Sequence, residues 1–169
     1  MSTMAAELSD SALRVQRALA AAGIAAQVVE LPQSTRTAKD AAAAIGCSVA
    51  QIAKSLVFKR TDVNEPVLVI AAGSNHASEA LIASYLQAPV AKADADFVRA
   101  TTGFAIGGVP PLGHHTPVIT FIDQDLLKLE TVWAAAGTPH AVFSLTPQQL
   151  VRATGGAVVA ISDHIGKHG

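Results

Sequence analysis

The chain has 169 residues, of which 50% are apolar and 15% charged, and its formal net charge is −1. That length supports a sizeable core, and one domain spanning 1–169 is expected. The composition excludes a disordered polyelectrolyte and excludes nucleic-acid binding by bulk charge alone, so any RNA contact is local and DNA is not an expected partner.

In chain order, residues 9–22 read as a helix, with Ser9 or Asp10 as its cap and Gly23 as its stop. Charges at Glu7, Asp10, Arg14 and Arg17 interrupt this segment, so it is not the apolar run of a signal peptide. No segment reaches the roughly 18 apolar residues of a membrane span, so no membrane contact is expected. Residues 25–31 (AAQVVEL) read as a strand ended by Pro32. Thr37 to Asp40 resembles a capping box with Asp in place of Glu, and it opens a helix that Gly46 closes. A helical turn follows at 49–53, and then strands at 55–60 and 66–73 form a hairpin.

Residues 77–87 predict a helix, and 95–101 a helical turn; the short stretch between them, PVAKAD, is ambiguous. TPVITFID (116–123) is a strand, and DQDLL starts a turn. Residues 130–137 and 140–145 form another strand pair around Gly137, Thr138 and Pro139. Thr146 caps a helix over 146–155 with Pro147 in its first turn, and 156–162 reads as a last strand. The tail DHIGKHG is expected to fray. Strand pairs on short turns among several helices predict an α+β fold with a mixed sheet.

Residues 101–117, TTGFAIGGVPPLGHHTP, hold four glycines and three prolines. The stretch has neither the Gly-Lys-Ser/Thr of a Walker loop nor the spacing of a dinucleotide fingerprint. Gly107 and Gly108 allow close approach to main-chain N–H groups, and Pro110 and Pro111 stiffen the far side. Such a loop either binds a carbonyl, oxyanion or phosphate, or is a tight connection. Lys54, beside an apolar strand, either projects into a cleft or snorkels at the surface.

His76, His114, His115, His140, His164 and His168 show no metal-ligand spacing, so no metal is expected. Cys47, the only cysteine, excludes an internal disulfide framework, reads as a small buried filler and fits a reduced, cytoplasmic setting. Asp123 caps the next turn or faces a pocket. Ser55, Ser74 and Ser144 lack the setting of a hydrolase elbow.

Three stretches, TAKDAAAAIGCSVAQIAKSLVFK, PVLVIAAGS and ATTGFAIGGVPPLGHHTPVITFID, resemble in that order the YbaK/EbsC-type aminoacyl-tRNA deacylases. These are related to the editing insertion domain of bacterial prolyl-tRNA synthetases. The resemblance covers about residues 25–160 and implies the YbaK/prolyl-tRNA synthetase-associated domain fold, a compact mixed β-sheet with surrounding helices. It implies hydrolysis in trans of a mischarged tRNA, usually tRNA(Pro), carrying Cys, Ala, 2-aminobutyrate, Ser or Thr. It implies no cofactor and no side-chain nucleophile: water, a ribose hydroxyl or the substrate's own thiol attacks. The partners implied are the tRNA acceptor end and, as a candidate, prolyl-tRNA synthetase.

By that resemblance Lys54, Gly107 and Gly108 are the catalytic positions, the lysine holding the terminal nucleotide. Thr102, Gly103, Phe104, Ile106, Val109, Pro110, Pro111, His114, Asp123 and Gly137 are the substrate-binding ones. Lys39, Lys59 and Arg60 are expected to join Lys54 in meeting phosphates. Where better-known relatives are more polar, this chain has Ala134, Ala135, Ala136 and Val142, which implies a less polar pocket. The alternatives are a non-catalytic module holding an aminoacyl or nucleotide end, and a hydrolase of another small ester.

Overall fold

The computed structural model describes residues 8–162; Glu7 and the tail from residue 163, with His164, Lys167 and His168, lie outside the described residues. Helix ends follow local chemistry. Helix α1 (Asp10–Ala21) starts where Ser9 Oγ accepts the Ala12 N–H at 3.3 Å, and beyond its end Gly23 turns left-handed at φ 75°. Helix α2 (Ala38–Ile45) is capped by Thr37 Oγ1, which accepts the Asp40 N–H at 3.0 Å, and is stopped by Gly46 at φ 88°. Helices α3 (Glu79–Leu86) and α4 (Ala95–Thr102) are capped by Ser78 and Asp94. Helix α5 (Pro147–Thr154) opens with proline under a Thr146–Gln149 capping box. Each cap satisfies an otherwise orphaned N–H and contributes about 1 kcal/mol.

The strands are β1 (Val29–Glu30), β2 (Ile52–Arg60), β3 (Glu65–Ala72), β4 (Val90–Lys92), β5 (Ile119–Asp123), β6 (Val132–Ala135), β7 (Ala141–Leu145) and β8 (Ala157–Val159). They form one mixed sheet in the order β1-β7-β6-β2-β3-β5-β8, with β4 added to β2. The antiparallel β2–β3 hairpin runs from Ala53↔Ala72 to Arg60↔Glu65, while β6 on β2, β5 on β3 and β8 on β5 are parallel. β3 is central and buried on both faces, which explains its unbroken apolar run from Val67 to Ala72. On one face Leu68, Ile70 and Ile122 pack with Val15 and Leu19 of α1; on the other, Val67, Val69 and Phe121 pack with Ile82 of α3.

Three elements depart from expectation. The strand foreseen over 25–31 shrinks to Val29–Glu30, because the Gln16 side chain donates to Ala26 O and accepts from Val28 N–H, taking main-chain groups a neighbouring strand would use. The ambiguous PVAKAD contains β4, which pairs with the outer edge of β2 at Phe58, Lys59 and Arg60. The expected turn at 95–101 is a full helix that includes Thr102. Among the described residues, no helix is long and apolar enough to cross a membrane.

Candidate functional site

The outer edge of β2 is shared by two short strands. β6 pairs with it through Ile52 and Ala53, and β4 through Phe58, Lys59 and Arg60. Between them the edge is open, and the loop after α4 crosses over the opening. Two cavities result, of about 390 Å³ on the β6 side and about 330 Å³ on the β4 side. Lys54, Ser55, Leu56, Ile106, Gly107 and Val109 line both, so the two share one pair of walls.

Lys54 projects from the β2 wall, and its Nζ lies 3.4 Å from Gly73 O. Burial pulls its pKa below the ordinary lysine value, and the negative charge of Asp123 acts in the opposite direction. Asp123 is buried and accepts three hydrogen bonds: from Ala72 N–H at 2.9 Å, Asn75 Nδ2 at 2.8 Å and Asp125 N–H at 2.9 Å. It therefore caps the following 3₁₀ turn, and it lines neither cavity.

The loop wall is held from behind. Thr102 Oγ1 donates to Val98 O at 2.7 Å and accepts the Phe104 N–H at 3.1 Å, while Gly103 ends α4 at φ 82°. Phe104 is buried with the Arg14 guanidinium 4.3 Å from its ring centre, and Arg14 also donates to Gly103 O at 3.2 Å. His114 stands edge-on to Phe104, and its Nε2–H donates to Pro110 O at 2.7 Å. Pro110 and Pro111 are themselves buried.

Gly108 closes a turn through its N–H to Ala105 O at 3.0 Å, and its carbonyl accepts the Gly137 N–H at 2.8 Å. A Cβ on Gly108 would meet the Thr138 backbone at 2.8 Å, so only glycine permits this approach. Gly107, at φ 94°, lies against the Arg36 side chain, and its N–H has no partner among the described residues.

Of the residues singled out in the sequence, the structure thus gathers Lys54, Ile106, Gly107 and Val109 on the cleft. Thr102, Gly103, Phe104, Pro110, Pro111, His114, Asp123 and Gly137 stand behind it and line neither cavity. The expectation of a free donor at Gly108 is corrected, because its N–H is consumed by its own turn. The expected cations are also redistributed. Arg60 pairs with Asp62 at 2.7 Å, Lys59 lies over the Phe97 ring at 5.3 Å, and Lys39 lines neither cavity. The cavities are instead lined by Arg36 on the β6 side and Lys92 on the β4 side.

Ala134 and Ala135 line the β6-side cavity beside Trp133, whereas Ala136 and Val142 are core. Cys47 packs on the Ala41–Ala42–Ile52 cluster, and burial pushes its thiol pKa up, away from a nucleophile's range. Among the described residues, no three His, Cys, Asp or Glu side chains gather as a metal centre needs.

The residues that sequence reasoning missed are Ser55, Leu56, Thr35, Arg36, Trp133 and Lys92. Ser55 and Leu56 carried a signal in their adjacency to Lys54, and Trp133 in its adjacency to Ala134. The rest arrive from distant segments.

Residues 32–153 match the profile of the aminoacyl-tRNA editing domain. The uncharacterized protein YwhH of Bacillus subtilis (strain 168) is 33% identical over 124 residues, covering 73% of this chain and 78% of its own. A solved structure described as a "putative trans-editing enzyme for prolyl tRNA synthetase" superposes with a TM-score of 0.87 at 46% identity, over 93% of this chain and 99% of that one. The hypothetical protein APE2540 superposes with a TM-score of 0.82 at 28% identity, over 89% and 99%.

Proposed function

The chain belongs to the aminoacyl-tRNA editing domain family, and we propose that it is a trans-acting deacylase that removes a small wrong amino acid from tRNA, tRNA(Pro) in particular. The observation that supports this reading is that Lys54 and Gly107, whose N–H has no partner among the described residues, line the same cleft. An aminoacyl ester is already activated, so the task is to place it and to stabilise the oxyanion. In this reading water adds to the acyl carbonyl carbon, the bond to the ribose oxygen breaks, and the proton released by water passes to that oxygen. The products are a free amino acid and tRNA with a free terminal hydroxyl.

Gly107 N–H donates to the developing oxyanion, a role for which one preorganised donor supplies about 3–4 kcal/mol. Lys54 adds positive charge in a partly desolvated wall, where a charge acts more strongly than in water. No side-chain nucleophile is required. The two cavities divide the substrate between them, one for the amino acid and one for the terminal nucleoside, with Arg36 and Lys92 placed for phosphates. The apolar lining at Trp133, Ala134 and Ala135 suits a small side chain.

The test is single-turnover deacylation of tRNA(Pro) charged in turn with Cys, Ala, 2-aminobutyrate, Ser and Thr, by the protein and by Lys54→Ala. At least one substrate is expected to be cleaved, with the variant slowed by about 100-fold or more. Binding of charged tRNA with no cleavage of any of the five supports the non-catalytic module instead.

A further inference from the structure

Ser55 sits at the break in the sheet. Ile52 C=O accepts from Gly73 N–H at 2.7 Å, so the even-numbered residues of β2 turn their main-chain groups toward β3. Val57 C=O accepts from Ala93 N–H at 3.3 Å, so the odd-numbered residues turn theirs to the opposite edge. On that edge β6 ends its pairing at Ala53 and β4 starts near Val57. The N–H and C=O of Ser55 face the opening between them, with no partner among the described residues.

The side chain repeats the pattern. Among the described residues, the buried side-chain polar atoms without a hydrogen bond are Ser55 Oγ and Thr35 Oγ1, and both residues line the β6-side cavity. A hydroxyl buried without a partner is unfavourable, and main-chain groups that face a cleft are open to a guest, so such groups gathered on one residue point to a ligand that completes them.

We propose that Ser55 is the anchor for the substrate's amino-acid unit, which enters the opening as the missing rung of the β-ladder. The proposal rests on reading the cleft as an aminoacyl site. The α-amine donates to Ser55 C=O, and Ser55 N–H donates to the acyl oxygen, the two-bond exchange of an antiparallel pair. Ser55 N–H and Gly107 N–H, on opposing walls, then share the acyl oxygen. Cross-strand partners carry their side chains on the same sheet face. The substrate's side chain therefore lies beside Ser55 Oγ, in the cavity that also holds Thr35, Ala134 and Ala135. The class selected is an α-aminoacyl ester, as distinct from esters lacking an α-amine.

The probes are two non-hydrolysable analogues of the charged terminus, 3′-deoxy-3′-(L-alanylamino)adenosine and its 3′-propionylamino counterpart, which lacks the α-amine. Amide hydrogen exchange is followed residue by residue by NMR, and affinity by calorimetry. In the free protein Ser55 N–H is expected to exchange at least about 10-fold faster than the β3-paired Lys54 and Leu56, and to slow by about 10-fold or more at saturation with the alanyl probe. The propionyl probe is expected to bind about 10-fold or more weakly. Unchanged Ser55 exchange at saturation, or equal affinity for the two probes, overturns the proposal. Protection at Ser55 in a protein that deacylates no charged tRNA leaves this inference standing and sinks the catalytic reading; turnover without protection does the reverse.

Discussion

The two walls of the cleft are both main chain, and they are built in opposite ways. The β2 wall belongs to a strand locked on one side by the hairpin to β3, yet its other edge is unfinished at Ser55. The loop wall has no ladder and is pinned at a few points: Gly108 is bonded through both polar groups, Thr102 ties the ends of its turn, and His114 holds Pro110. One wall gets its position from sheet geometry and leaves polar groups for a ligand. The other must hold itself in place, and most of its distinctive residues are spent on doing so.

Substitutions can break or sharpen this contrast. The largest effect is expected from Lys54→Ala on the β2 wall, where the roughly 100-fold loss of deacylation corresponds to about 2.7 kcal/mol. Its thermal midpoint should stay within a few degrees of the parent, since burial already disfavours the charged lysine. A large drop in that midpoint would recast Lys54 as structural. On the loop wall the order reverses. Gly108→Ala forces a Cβ onto the Thr138 backbone and should cost about 1–3 kcal/mol of stability in urea unfolding.

Thr102→Val leaves the Phe104 N–H without its acceptor and should cost about 1–2 kcal/mol by the same measurement. Ser55→Ala, by contrast, removes a hydroxyl with no partner, and its stability should stay within about 0.5 kcal/mol of the parent. A loss as large as that of Thr102→Val would erase the distinction between the walls.

The smallest effect concerns pH. Burial, the largest influence, holds the His114 imidazole below its ordinary value; the Pro110 carbonyl opposes this and the Arg14 charge reinforces it. As pH falls through the ordinary value of 6.5, the unfolded chain takes up a proton before the folded one does, so stability declines on the acid side. The slope from one such group cannot exceed about 1.4 kcal/mol per pH unit. Replacing His114 with Gln should flatten it, as measured by unfolding from about pH 8 to about pH 5, roughly one and a half units either side of that value.

What the sequence made legible follows from how local each cause is. Caps such as Thr37 and Thr146, stops such as Gly46, and the β2–β3 hairpin all depend on residues a few positions apart, and they stand where the pattern put them. The family resemblance located Lys54 and Gly107 for the same reason, as short motifs. The opening at Ser55 has no such signature. It exists because β6 and β4, drawn from segments some forty positions apart, each stop short along the same edge. Nor does the sequence show that Gly108 packs on the Thr138 backbone while its neighbour Gly107 lines the cleft, since a glycine's place depends on what approaches it.

Helix α1 precedes residue 32, where the match to the family profile starts, yet its Arg14 grips Gly103 and covers Phe104 at the rear of the loop. The loop that walls the cleft is thus braced by a segment outside the stretch that the profile matches.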